Sequence, residues 1–173
     1  GSEIDLPEDG YQGDYLIDMA REFIEKHGEK FKDTWNPQVE ALFKDYALNN
    51  MLTDITGTLN DLGVRFDNIF YESSTIKDGT VENVLGKLQK SGLVYESEGA
   101  RWFKVSQFCE DDDKVLVRSS GSYTYFMTDI AYHTNKFERG FVKVYDIWGA
   151  DHMGHIPRMK AAMKALGFPD DFL

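Results

Sequence analysis

The chain has 173 residues, 42% hydrophobic and 28% charged, with nine Tyr, twelve Phe and three Trp; this composition excludes a disordered polypeptide and suffices for one ordinary domain or a domain with an appendage. Its formal net charge is −11, and the first fifty residues, with twelve acidic and five basic side chains, contribute −7, so the chain lacks the Lys and Arg surplus that grips nucleic-acid phosphates. The single Cys109 excludes an internal disulfide, no run approaches the ~20 apolar residues of a membrane span, and no basic, apolar leader opens the chain; the cytoplasm is the expected address.

Gly1-Ser2, with no Met ahead of the acidic Glu3-Ile4-Asp5, reads as a cloning scar, and the chain as a piece cut from something longer. From Asp14 to His27, Tyr15, Met19 and Phe23 recur at helical spacing, joined by Leu16 and Ile24, and Gly28 stops the pattern. A second helix starts at Pro37, where a missing N–H costs nothing, and carries Val39, Leu42, Phe43, Tyr46 and Ala47 on one face. It runs toward Leu62, with Gly57 as a weak point, and Gly63 ends it. Val64 to Tyr71 is short, β-branched and aromatic, which predicts a buried strand with Glu72-Ser73-Ser74 just beyond its end. Thr80 can cap a third helix that buries Val81, Val84, Leu85 and Leu88 and stops at Ser91-Gly92.

Between Leu93 and Phe126 the short runs 94–95, 101–105, 115–118 and 123–126, separated by Gly or acidic turns, predict a small antiparallel sheet. Thr128 to Phe137 then reads as a helix and Val142 to Trp148 as an apolar strand. Gly149-Ala150-Asp151-His152 is its exit, and Ile156 to Leu166 is a helix ended by Gly167 and Pro169. Helices around β elements with an antiparallel patch inserted argue for an α/β fold. The implied division is a helical part at 1–63, a strand and helix at 64–92, the antiparallel insertion at 93–127, and a helix, strand, loop and helix at 128–173.

Three polar clusters fall at the predicted strand ends, where open α/β sheets place ligands: Glu72-Ser73-Ser74, Tyr125 through Asp129, and Asp151-His152 with His155. Each has a plain structural reading, as a solvated turn acid, a helix first-turn acid or a strand-exit pair. Asp151, His152 and His155 have the residue types of a metal site, but without a Cys pair or an H-E-x-x-H helix no metal is expected. Cys109 sits beside Glu110 and three Asp residues, which would raise its thiol pKa and speaks against a nucleophile. No Gly-rich phosphate loop and no G-x-S-x-G elbow occur. Acids beside a Tyr suit a guanidinium or ammonium ligand, because a carboxylate takes the planar guanidinium fork through two parallel hydrogen bonds.

Phe66-Asp67, Tyr71-Glu72-Ser73-Ser74, Gly92 to Glu96 with Glu98-Gly99-Ala100, Asp112 to Val117, Gly121 to His133, Lys136 to Gly140 and Trp148 to His152 together resemble arginyl-tRNA synthetase of a bacterial type, most specifically over Gly121 to Gly140. The opening Tyr11-x-Gly13-Asp14-Tyr15 resembles the segment that follows the first ATP-binding part of that family. The resemblance implies a class I synthetase: a split Rossmann-like nucleotide-binding fold with a small antiparallel insertion and N-terminal helices. It implies that Glu72, Tyr125 and Asp129 line the arginine site, that Asp151, at a position often held by Gln, borders it, and that His152 faces substrate or adenosine. The whole enzyme would use L-arginine, ATP with Mg²⁺ and arginine tRNA, through an arginyl-adenylate. The resemblance places the H-I-G-H-type ATP motif upstream of these residues and the K-M-S-K-type loop downstream of them. The chain alone is therefore expected to be inactive, to hold no cofactor tightly, to bind tRNA weakly, and to self-associate through a sheet edge left open. A non-catalytic arginine- or protein-binding module of the same fold is the alternative, and a small metallohydrolase a third.

Overall fold

A computed structural model describes residues 13–173, so Tyr11 and the first ten residues lie outside the described part. The chain divides into two compact units, with the boundary after Asn68.

The described residues of the first unit form two helices, α1 (Asp14–His27) and α2 (Pro37–Asp61). Gly28 ends α1 at φ 65°, a conformation that costs a glycine little. Asn36 starts α2 by accepting the free N–H groups of Gln38 and Val39 at 3.1 and 3.0 Å, with Pro37 next in line. Buried Phe23 joins the helices: its ring lies 4.6 Å from that of Phe43 and 4.9 Å, edge on, from that of Tyr46. Both helices match the sequence reading, and Gly57 does not break α2.

The second unit holds α3 (Glu72–Lys77), α4 (Thr80–Lys90), β1 (Val94–Ser97), β2 (Ala100–Phe103), β3 (Lys114–Val117), α5 (Tyr125–Glu138) and α6 (His155–Ala165). The strands form one antiparallel sheet in the order β1-β2-β3. Val94 pairs with Phe103 and Ser97 with Ala100, leaving a two-residue turn of Glu98 and Gly99. Both have positive φ, 53° and 73°, as a turn that matches the strand twist requires. The β2–β3 register slips between Arg101 and Trp102, which face Val117 and Val115; Leu116 is the extra residue and is fully buried. The core unites Val84 and Leu88 of α4, Phe103 and Leu116 of the sheet, Met127 and Ile130 of α5, Met159 of α6, and Phe172. Helices packed on a sheet give the α/β class, and no described helix is long and apolar enough to cross a membrane.

Three expected elements differ. Residues 64–71 and 142–148 form no strand, because no described segment runs alongside to share a ladder. Val144 donates one hydrogen bond to the Phe172 carbonyl at 2.6 Å, and nothing extends it. Nor is 123–126 a fourth strand: Tyr123 makes a single bridge with Val117 and Thr124 caps α5. The alternation of Tyr123 and Tyr125 imitated a strand, while the capping hydroxyl between them was the stronger signal. The helix therefore starts at Tyr125, three residues ahead of Thr128, and an unforeseen helix starts at Glu72.

Leu88 of α4 is fully buried in the second unit's core. Leu88→Ala is expected to lower unfolding free energy by ~3 kcal/mol, read as a lower urea midpoint at unchanged slope.

Candidate functional site

Because 64–71 and 142–148 are not ladder strands, the polar clusters stand at helix starts rather than strand ends. Glu72 is the first residue of α3, Tyr125 the first of α5, and Asp129 lies one turn further on the same face of α5. Thr124 makes this start firm. Its hydroxyl donates to the Val115 carbonyl at 2.8 Å and accepts the Met127 N–H at 3.3 Å, so one side chain ties β3 to the first turn of α5.

Thr128 brings Glu72 to α5. Its hydroxyl donates to the Glu72 carboxylate, and it lies 3.0 Å from the Tyr125 carbonyl. Asp129 is held at 3.1 Å by Nε2 of His155 on α6, a histidine whose side chain is only 3% exposed. Arg158 completes the chain, donating from Nε to Nδ1 of His155 at 2.8 Å and from a terminal nitrogen to the Tyr125 hydroxyl at 2.9 Å. Tyr125, Thr128, Asp129 and Glu72 are thus connected at one end of α5. Among the described residues, the second carboxylate oxygens of Glu72 and Asp129 have no hydrogen-bond partner, and Asp129 is 40% exposed. Two anionic oxygens held from behind and open in front are what a planar cation needs.

Asp151 and His152 stand apart from this group. They lie on a short 3₁₀ turn, Ala150–His152, are exposed, and face each other at 3.5 Å. The link to the α5 group is aromatic: the Trp148 ring is 6.4 Å from that of His152 and 5.0 Å from that of His155. A cavity of about 280 Å³ opens beside His152, lined also by Trp148, Asp146, Met153 and Lys160. Among the described residues no three His, Cys, Asp or Glu side chains are grouped to hold a metal ion, and both ring nitrogens of His155 are occupied by Asp129 and Arg158. Burial first, and Asp111 after it, push the Cys109 thiol pKa up, as its acidic neighbours led us to expect.

Behind Asp129 lies a second polar knot. His133 is buried one turn along α5, with Nδ1 2.8 Å from the Asp129 carbonyl and Nε2 2.5 Å from the Asp146 carboxylate. Both neighbours are acceptors, so an imidazolium satisfies both contacts. Lys136 binds the other Asp146 oxygen at 2.8 Å. Burial alone would raise the Asp146 pKa, but hydrogen bonds and charge from His133 and Lys136 outweigh it and hold the carboxyl at about 2. Asp146 thereby fastens the unpaired 142–148 segment to α5.

The sequence reading gave no role to Arg158, His133 or Asp146, took in Thr128 only as part of the cluster Tyr125 through Asp129, and grouped His155 with Asp151-His152. Helical spacing carried part of the signal: His155 and Arg158 are three apart, and Asp129 and His133 four apart. Nothing local pointed to the Glu72–Thr128 pairing, which spans 56 positions.

Comparison with known proteins gives this arrangement a family. The family model for the catalytic domain of class I (R) tRNA synthetases matches residues 13–172, which defines the chain as class I synthetase catalytic-domain sequence. The chain belongs to the arginyl-tRNA synthetase family within that class. It is 60% identical over 172 residues to the arginine–tRNA ligase of Thermotoga petrophila, covering 99% of this chain and 32% of that protein. With the ligase of Oceanobacillus iheyensis it shares 46% identity over 98% of this chain and 30% of the relative. A crystal structure from Campylobacter jejuni assigned to arginyl-tRNA synthetase superposes with a TM-score of 0.87 at 37% identity, over 99% of this chain and 37% of that one. Thermus thermophilus arginyl-tRNA synthetase, at 19% identity and a TM-score of 0.53 over 87% of this chain and 33% of that one, shares the fold. The chain spans about a third of the length of the curated relatives it matches.

The pKa of Asp146 lies below its ordinary 3.8 in the folded state. Its stabilisation is therefore complete above about pH 4 and is lost as pH falls from there toward about 2. Urea unfolding between pH 6 and 2.5 is expected to show ~2 kcal/mol less acid sensitivity in Asp146→Asn than in the wild type, with the variant already less stable at pH 6.

Proposed function

We propose that this chain supplies the amino-acid pocket of an arginine–tRNA ligase. Glu72 and Asp129 pair with the substrate guanidinium, Tyr125 orients the amino acid, Asp151 borders the pocket, and His152 faces substrate or adenosine. The observation that carries this reading is the pair of carboxylates, Glu72 and Asp129, braced from behind by Thr128 and His155 with one oxygen each left open beside Tyr125. Family membership supports it independently.

In the whole enzyme, the arginine carboxylate attacks the α-phosphate of ATP and expels pyrophosphate, and a hydroxyl of the terminal ribose of arginine tRNA then takes the arginyl group from the adenylate and expels AMP. That chemistry consists mainly of positioning and charge stabilisation. The described residues group no three side chains fit for a metal ion, so no step is assigned to Mg²⁺ on this chain. The part of the site assigned here is amino-acid recognition. ATP-phosphate and tRNA contacts are assigned to other parts of the ligase, which acts in the cytoplasm, and the 173 residues alone are inactive and grip tRNA weakly at a net charge of −11.

The finer fold reading belongs to the same proposal. Segments 64–71 and 142–148 are strands of a split Rossmann-like sheet that pair only in a longer protein, with 93–127 as the insertion between them. Apolar side chains standing in solvent support this: Ile147 is 99% exposed, and Val142 and Tyr145 are nearly as open. Such a surface favours self-association. Light scattering is expected to give an apparent mass that rises with concentration for the 173-residue chain, and Ile147→Lys to suppress the rise.

Calorimetric titration tests the site. The protein expressed from its complete reading frame is expected to bind L-arginine saturably and lysine not at all. Glu72→Gln and Asp129→Asn should each weaken arginine by roughly 30-fold or more, as when one partner of a desolvated ion pair is removed. Binding by the 173-residue chain as well would mean that it carries a complete pocket. Arginine binding that survives in both variants would overturn the assignment.

A further inference from the structure

We propose that His155 and Arg158 are positioning residues of the arginine site. His155 acts as a neutral spacer that fixes the Asp129 carboxylate without neutralising it, and Arg158 aims both His155 and Tyr125. The inference rests on the reading of Glu72, Tyr125 and Asp129 as the guanidinium pocket and adds residues that reading does not use.

The hydrogen-bond directions carry the argument. A guanidinium has donors only, so the 2.8 Å contact from Nε of Arg158 makes Nδ1 of His155 an acceptor. Nδ1 therefore bears no proton, the ring is the neutral Nε2–H tautomer, and the 3.1 Å contact to Asp129 is that N–H donating to Oδ2. Protonating His155 would set an N–H against the Arg158 N–H and break the chain. A neutral ring here differs physically from Arg158 reaching Asp129 directly. A direct Arg–Asp pair would be bidentate, occupying both oxygens and leaving neither for an incoming guanidinium. With His155 between them, Asp129 keeps its full negative charge and one free oxygen, while its rotamer is held.

Packing keeps the spacer in place. The His155 ring is enclosed by Tyr125, Phe126 and Trp148, with centroids 5.5, 5.6 and 5.0 Å away, and it is nearly removed from solvent. His155 and Arg158 share one face of α6, so a single helix presents the acceptor–donor pair to the first two turns of α5. The terminal guanidinium nitrogen reaches the Tyr125 hydroxyl at 2.9 Å and occupies one oxygen lone pair, so the phenolic proton points away from Arg158. Holding a carboxylate and a phenol in advance removes rotamer entropy that the ligand would otherwise have to overcome.

The test is arginine-dependent ATP–pyrophosphate exchange, run with arginine tRNA present, by the protein from the complete reading frame, with imidazole ¹⁵N NMR on the 173-residue chain. His155→Leu and Arg158→Met are expected to raise KM for arginine roughly tenfold, the scale of one lost hydrogen bond to a charged group, with KM for ATP unchanged. His155→Gln, whose amide can accept from Arg158 and donate to Asp129, is expected to recover most of the loss. Arg158→Met is expected to cost less in a Tyr125→Phe background than alone. The NMR spectrum is expected to show His155 as the Nε2–H tautomer near pH 7.5. A wild-type KM for arginine in both apolar variants, or an Nδ1–H tautomer, would overturn the positioning role and leave the pocket assignment intact. A wild-type protein with no arginine-dependent exchange would instead overturn the pocket reading on which this one rests.

Discussion

Thr124 is the joint on which the second unit's architecture turns. Its backbone N–H bonds the Leu116 carbonyl at 2.9 Å and its hydroxyl bonds that of Val115, which ends the β3 edge and leaves the chain free to turn. The same hydroxyl accepts the Met127 N–H, starting α5 at the next residue. Glu72, His155 and Arg158 are connected through α5: Glu72 by Thr128, and His155 and Arg158 by Asp129 and Tyr125. The start of α5 therefore sets the phase of its residues, placing Tyr125 and Asp129 on the open face and Met127 and Ile130 in the core.

Two histidines near Asp129 divide the electrostatic work. His133 stands between two acceptors, and its contacts favour a cation that compensates the partly buried Asp146 together with Lys136. His155 stands between a donor and an acceptor, and its contacts favour a neutral ring. The distinction is one of neighbours, since both rings are equally buried. It lets the protein stabilise one carboxylate for structure and leave another charged and accessible for the proposed ligand. Burying an ion pair is costly unless all its partners are present, which accounts for the three-way contact at Asp146.

Much of the fold was legible because helices are local. The 3.6-residue recurrence and the stops at Gly28 and Gly63 delimit α1 and α2 to within a residue or two, and Glu98-Gly99 marks the hairpin. The reading fell short at 64–71 and 142–148, where composition predicts a strand but no described segment of this chain pairs with it. A β-branched, aromatic run states a preference, but the ladder hydrogen bonds must come from a neighbour. It failed at 123–126, where aromatic alternation obscured a helix cap.

By itself the sequence determined which residue types were available for recognition and roughly where: acids at 72, 129 and 151, a Tyr at 125, and a resemblance along most of the chain that the family match bears out. The helices and the hairpin were determined in the same way, because their hydrogen bonds close within a few residues. Only the tertiary structure decided which of these side chains meet. Glu72 finds Thr128 across 56 positions, His155 finds Asp129 across 26, and Arg158 finds Tyr125 across 33, while Asp151 and His152 remain a step away. Such pairings follow from how α3, α5 and α6 pack over a shared core, and a linear sequence carries no local periodicity that encodes them.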